Sequence, residues 1–177
     1  MKTRDHILQA ATLRFSQCSY EEMKLRDIAD DVGVDVALVH RAFGSKERLF
    51  AEVLKSVMRP EGWLDGDLAD LIPHMARRVL ADRSSRLGTV DPLQIVARSI
   101  ASPKARELIR DAVLNDFIRP VSAKLSEADQ HDATLFTACL FGISLMQHVV
   151  GLDLSSEETR PADEKKVEKV LAACLAE

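Results

Sequence analysis

The chain has 177 residues, 46% apolar and only 5% aromatic, with a formal net charge of −4. That composition can fill one or two packed cores, and its wealth of Ala, Leu, Arg and Asp favours helix over sheet. The charge excludes a bulk-basic nucleic-acid binder. Residues 1–60 hold ten Lys and Arg against nine Asp and Glu, and the remainder fourteen against nineteen, so a DNA partner has to be held by placed cations.

The opening segment, "MKTRDHILQAATLRF", scatters charges through its apolar residues and does not resemble a secretory signal. Ile7, Leu8, Ala11 and Phe15 recur at helical spacing, predicting a helix from residue 3 to about 18. A second, short helix is expected from about Leu25, with Ile28, Ala29 and Val32 inward, stopping at Gly33. Asp35 can cap a third that ends near Phe43-Gly44. Ser45 can cap a fourth, with Leu49, Phe50, Val53, Leu54 and Val57 as its buried stripe. "RPEGWLDGDL" breaks the pattern and is the best candidate for a linker.

Leu68, Leu71, Ile72, Met75 and Val79 then share one face of a fifth helix, and "DRSSRLGTVDP" punctuates again. Asp91-Pro92 and Ser102-Pro103 each place a cap before a proline at the first helical position. The second of these opens a longer pattern in which Pro120 predicts a kink or break. A last helix is expected near 163–176, with Val167, Val170, Leu171 and Cys174 in phase.

Between Asp132 and Asp153 lie twenty residues without Asp, Glu, Lys or Arg. That meets the ~20-residue length of a membrane span. Thr134, Thr137, Ser144, Gln147 and His148 dilute it, however, and no positive cluster flanks it. The expectation is a buried helix, part of it covered by a second subunit, and no membrane. Cys18, Cys139 and Cys174 are odd in number and show no metal-ligand spacing, so they read as buried reduced thiols in a cytoplasmic protein. No nucleophile elbow, phosphate loop, metal spacing or paired catalytic carboxylates occur, so no enzyme, no catalytic or metal site and no cofactor are expected.

Residues 24–43 carry the functional signal. A helix-turn-helix needs a small residue where its helices cross, met by Ala29, and a turn residue tolerant of positive φ, met by Gly33. Ile28, Val32, Val34, Val39 and Phe43 can lock the two helices together. The second helix could then enter a major groove, ~12 Å wide, and offer its N-terminal side chains to base edges. An ordinary tight helical hairpin would show the same spacing.

From Arg4 to about Val53 the chain resembles the TetR family of one-component transcriptional regulators: "R..IL.AA..LF", then "Y", "RDIADDVGV", "LVHRAF" and "SKERLF". The resemblance implies an all-α fold of about nine helices. A three-helix helix-turn-helix DNA-binding domain (1–48) would precede a helical effector-binding and dimerisation domain (49–177). It implies a ligand-responsive regulator, a repressor that binds a palindromic operator as a homodimer and is released by a small-molecule effector. The dimer would form through helices at about 129–152 and 163–176. Residue by residue, it puts Arg26 on phosphate or the groove edge, and Val36, Ala37 and Leu38 at base edges. His40 stands in place of a phosphate-contacting tyrosine, Arg41 is the candidate for a guanine contact, and Lys46 is a phosphate clamp at the start of the fourth helix. Met75, Val96, Phe117, Phe136 and His148 are candidates for the effector pocket.

Three departures from the family pattern stand out. Ser19 replaces a glycine, which predicts a strained or reshaped turn. Lys24 replaces a Thr cap, at a cost of ~1 kcal/mol. Asp35 replaces a Ser and brings a negative charge near phosphates. The competing reading is a helical ligand-binding or protein-interaction module whose DNA-binding face has lapsed.

Overall fold

The computed structural model describes residues 3–58, 68–81, 90–124 and 130–175. Among them the chain is helical throughout, with no strands. In order come α1 (Thr3–Gln17), α2 (Leu25–Val32), α3 (Val36–Phe43), α4 (Lys46–Val57), α5 (Leu68–Leu80), α6 (Pro92–Ser99) and α7 (Pro103–Val113). A π-helical turn, Leu114–Ile118, joins α7 to α8 (Arg119–Lys124); α9 (Gln130–Ser144) runs on into a second π-helical segment, Leu145–Val150, and α10 (Arg160–Ala173) ends the fold. Counting helices that run on without a break as one, the described residues form nine rods, as expected. The linker "RPEGWLDGD" and most of "DRSSRLGTV" lie outside the described residues.

The chain divides into two compact units, Met1–Arg59 with Val90–Ala112, and Pro60–Thr89 with Val113–Glu177. The first therefore includes α4, α6 and most of α7, well beyond the segment 1–48 that the resemblance sets apart.

The first unit is organised around aromatic rings. Phe15 of α1 meets Phe50 of α4 edge-on at 4.7 Å between centroids, Tyr20 meets Phe50 at 5.0 Å, and Phe15 and Tyr20 stack at 6.2 Å. Phe15 and Phe50 are fully buried, as are Ile7, Leu49 and Leu54. Polar ties at the surface fix the helix pairing. Arg14 donates two hydrogen bonds to Asp31, at 2.5 and 2.6 Å, joining α1 to α2. Arg4 pairs with Glu52 at 3.1 Å and lies 4.5 Å from the centre of the Phe43 ring. The start of α7 is held by Lys104, 2.5 Å from Glu47 on α4, and by the Ser102 hydroxyl, which donates a short hydrogen bond to Glu21. The Lys104 contact, with help from Ser45, holds the Glu47 carboxyl down at about 2.

The caps follow the sequence closely. Asp35 accepts from Ala37 N at 2.6 Å, Ser45 from Arg48 N at 3.3 Å, Asp91 from Leu93 N at 2.9 Å and Ser102 from Ala105 N at 3.3 Å. At Lys24 only half a capping box survives. The Lys24 N–H donates to Asp27 at 3.3 Å, but an ammonium cannot accept the return bond.

At Ser19 the turn is reshaped rather than strained. No described non-glycine residue has positive φ. Instead the Ser19 N–H and hydroxyl both donate to Glu22, at 2.9 and 2.7 Å, so a side-chain turn does what a left-handed glycine would do.

The second unit buries Leu71, Met75, Val79, Leu80, Ile118, Val121, Phe136, Leu140 and Leu171 in one cluster drawn from α5, the first π-turn, α8, α9 and α10. Pro120 disrupts the helix as expected but does not end it. Its ring conflicts with the carbonyl four residues back, and the wider π-turn over residues 114–118 accommodates this while the rod continues. The helix that holds most of this stretch, Gln130–Val150, is long and apolar enough to cross a membrane by length and composition alone. It packs Ala133, Phe136, Thr137, Leu140, Gln147 and His148 inward and leaves Leu135, Met146 and Val150 exposed. It is thus buried on one face rather than all round. Thr134 and Thr137 fit this apolar helix because each hydroxyl donates 2.7 Å to a carbonyl four residues back. The last helix starts at Arg160, a turn before its expected start. The three thiols are half-buried rather than buried, and Cys139 and Cys174 bring their sulfurs to 3.5 Å.

Two outcomes test this packing. Phe50→Ala should lower stability by about 3–5 kcal/mol in urea unfolding, because it removes the ring that both Phe15 and Tyr20 contact. Glu47 is held below its ordinary value of 4.5, so its contribution is present above that value and lost as pH falls toward 2. Wild type should therefore melt above Glu47→Gln at pH 6, and the gap should close as the pH approaches 2.

Candidate nucleic-acid interface

The turn between α2 and α3 is built by its glycine. Gly33 sits at φ +71°, a left-handed conformation that lets its N–H reach Asp30 O at 3.2 Å and the Val34 N–H reach Ala29 O at 2.9 Å. These bonds close α2 and turn the chain within two residues, so Asp35 caps α3 at once. Ile28 and Ala29 of α2 and Val39 and Phe43 of α3 are buried, while Val32 and Val34 are half-buried. The apolar residues singled out for locking are thus buried or half-buried, and α3 is left with Ala37, His40 and Arg41 exposed.

That outer side carries most of the expected reading residues. Ala37, His40 and Arg41 are exposed, as is Arg26 on the first turn of α2; Val36 and Leu38 are half-buried. Leu38 therefore divides its side chain between the helix packing and the surface. His40 reaches forward to the residue that ends its helix, with Nδ1 3.1 Å from the carbonyl oxygen of Gly44. Asp35 is exposed, but its carboxylate is engaged by the Ala37 N–H, which directs its charge at the start of α3.

Lys46 behaves differently from a free surface cation. It is half-buried, with Nζ 4.5 Å above the Tyr20 ring and 3.4 Å from the carbonyl of Glu21. Burial pushes its pKa down, against the raising influence of Glu21 and Glu47. Burial also pushes the Tyr20 hydroxyl up to about 12, with Glu47 adding to the effect. The lysine thus lies on an aromatic platform at the start of α4.

Arg48, which the sequence reading passed over, is exposed on the first turn of the same helix. Its guanidinium lies beside Gly44, where an added Cβ would come within 3.2 Å of it, and Gly44 itself has φ +82°. The available signal was its place two residues after the family lysine. The ties from Glu21 to Ser102 and from Glu47 to Lys104 had no such signal, since their partners are remote in sequence.

Four of the expected effector residues lie in the second unit and one, Val96, in the first. Met75 and Phe136 belong to the second unit's core cluster, and Phe117 meets Phe141 edge-on at 5.2 Å. His148 is 1% exposed on the second π-helical segment, and Val96 lies on α6 in the first unit. A cavity of about 460 Å³ opens at the connection between α9 and α10, lined by Gln147, Asp153, Ser155, Glu157 and Arg160 among others. None of the five candidates lines it. Among the described residues no group of His, Cys, Asp and Glu is arranged to hold a metal ion.

Comparison with known proteins assigns both parts of the chain. Residues 7–53 match the family described as bacterial regulatory proteins, tetR family, and residues 70–175 match the tetracyclin repressor-like C-terminal domain. Comparison with curated protein sequences finds no match. Among solved structures, the chain is similar to NalD of Pseudomonas aeruginosa, the secondary repressor of the MexAB-OprM multidrug efflux pump. The TM-score is 0.67 at 19% identity, over 97% of this chain and 95% of that one. It is similar also to the reduced form of E. coli NemR, with TM-score 0.70 at 17% identity over 96% and 97%. A TetR-family regulator of Streptomyces coelicolor A3 gives 0.59 at 20% over 96% and 94%. At such identities the structural likeness speaks for the fold, and the family matches for the lineage. With a helix-turn-helix domain at its front and a ligand-binding type of helical domain behind it, the chain belongs to the TetR family of bacterial transcriptional regulators.

Proposed function

We propose that this regulator is a cytoplasmic, non-enzymatic repressor that binds a near-palindromic operator as a homodimer and leaves it when a small molecule binds residues 49–177. What supports the DNA-reading part, assigned to residues 1–48, is the exposure of Ala37, His40 and Arg41 on a helix whose other side is locked by Val39 and Phe43. In this reading Val36, Ala37 and Leu38 meet thymine methyls and Arg41 meets guanine, where its planar fork can bond O6 and N7 together. Arg26, His40 and Lys46 hold the backbone phosphates. Lys46 leaves the Tyr20 face to do so, or reaches phosphate across it.

Dimerisation through residues 129–152 and 163–176 is supported by the apolar side chains those helices leave in water. Leu135, Met146, Val150 and Val170 are between 39% and 56% exposed. Gly142, on the same helix as the first three, has open space where a side chain would stand, so a second helix could approach closely there. Two copies related by a two-fold axis would present two copies of α3 to successive major grooves. An effector would act by favouring a conformer whose spacing no longer fits them. Met75, Phe117, Phe136, His148 and Val96 remain our candidates for its contacts.

Selection from random-sequence duplex DNA tests the reading. It should enrich a palindrome-like site, bound with a steep salt dependence. Arg41→Ala should relax one base preference and cost about 1–3 kcal/mol on that site, while Lys46→Ala should weaken all sites alike. Failure to enrich any sequence at low salt would sink the repressor and leave the module with a lapsed DNA face. Light scattering at micromolar concentration should give twice 19.6 kDa; a clean monomer would remove the proposed interface.

A further inference from the structure

Where the family pattern has a tyrosine, this chain has His40, and the two donate hydrogen bonds under different conditions. Nδ1 of His40 lies 3.1 Å from the Gly44 carbonyl oxygen. A carbonyl oxygen can only accept, so the nitrogen facing it carries the proton. A neutral imidazole has one N–H, and with that hydrogen on Nδ1 the outer nitrogen, Nε2, is a bare acceptor. A phosphate oxygen also only accepts. The neutral ring therefore has nothing to offer a phosphate, whereas a tyrosine hydroxyl can donate throughout the neutral range.

We propose that His40 grips the DNA backbone as an imidazolium, with Nδ1–H on Gly44 O and Nε2–H on a phosphate, so that binding DNA takes up one proton. This rests on the placement of His40 at the backbone given above. The complex then holds that proton more tightly than the free protein, and affinity rises as pH falls.

The charged groups around α3 are mostly engaged elsewhere. On α1, Arg4 is paired with Glu52, and on α2, Asp27 and Asp31 are tied to the Lys24 N–H and to Arg14. Arg26 and Asp30 are exposed at opposite ends of α2. On α4, Lys46 lies on Tyr20 and Glu47 is held by Lys104, which leaves Arg48 beside Gly44. On its own helix His40 has Arg41 as neighbour and Asp35 at the far end. With Arg41 beside His40 in the chain and Arg48 at Gly44, the negative charge that an imidazolium would pair with is supplied by the incoming phosphate.

Two measurements on the full chain test this. Long-range proton–nitrogen NMR at pH 8.5 should show His40 protonated on Nδ1 alone; protonation on Nε2 alone would overturn the proposal. Fluorescence anisotropy with a random-sequence 30-bp duplex at fixed low salt should show wild type binding about tenfold more tightly at pH 6 than at pH 8. His40→Gln and His40→Tyr should abolish that gain, the tyrosine variant already binding well at pH 8. His6→Gln, at an exposed position on α1, should keep it. If His40→Gln shows the same pH dependence as wild type, the proton goes elsewhere and this inference alone fails. Absence of duplex binding at every pH overturns both this inference and the DNA-reading function beneath it.

Discussion

The meeting of Phe15, Tyr20 and Phe50 is the constraint from which the front of the molecule follows. Three rings from α1, the connection after it and α4 lie within 6.2 Å of one another. Edge-to-face contacts fix angle as well as distance, because the rings' partial charges reward one orientation. With α1 and α4 set in this way, α2 and α3 must fit the space left, which the crossing at Ala29 and the turn at Gly33 allow. The same cluster supplies the floor for Lys46 through the Tyr20 ring. A packing feature thus also sets where the Lys46 cation rests and how far it is buried.

The reading face shows a division of labour between polarity and position. Net charge at the front is close to balanced, and exposed acids such as Asp30 and Asp35 stand near the recognition helix. Two of the nearby carboxylates are engaged. Asp31 is neutralised locally by Arg14, and the Asp35 carboxylate is turned onto the backbone of α3. What stands exposed along α3 is Ala37, His40 and Arg41. The first unit also includes the start of α7, whose Ser102 and Lys104 engage Glu21 and Glu47 on either side of Lys46. Those two acids are thereby directed to α7 partners as well as to the lysine between them.

In the second unit the irregular helix segments have identifiable causes. The π-turn over residues 114–118 accommodates Pro120, so the helical segment runs on past a residue that would otherwise break it. The π-segment over residues 145–150 ends at Gly151, φ +83°, with Gln147 and His148 buried and Met146 and Val150 outward. A largely uncharged helix that looks suited to a bilayer thus has two distinct sides, one set into a core and one apolar face in water. That is the pattern of an unpaired protein interface more than of a lipid-facing span.

Local chemistry made much of this legible in the sequence. Gly33, Asp35, Ser45, Asp91 and Ser102 each act on backbone groups within four residues, so their roles as turn and caps could be read directly. The inward stripe of α4 from Leu49 to Leu54 and the effect of Pro120 were legible for the same reason: periodicity and ring geometry are local properties. At the end of the stripe, however, Met58 is buried and Val57 only half-buried. The motif from Arg4 to Val53 added the lineage. Contacts that join residues remote along the chain were not legible. Ser19 escaped strain through Glu22, a choice between two local solutions that spacing could not make. Lys46 onto Tyr20, Lys104 onto Glu47 and Cys139 beside Cys174 all depend on which helices become neighbours. The sequence by itself determined the helices, their ends and the family. Only the tertiary structure decided which charged groups were left facing outward, because pairing and burial arise when surfaces from distant segments meet.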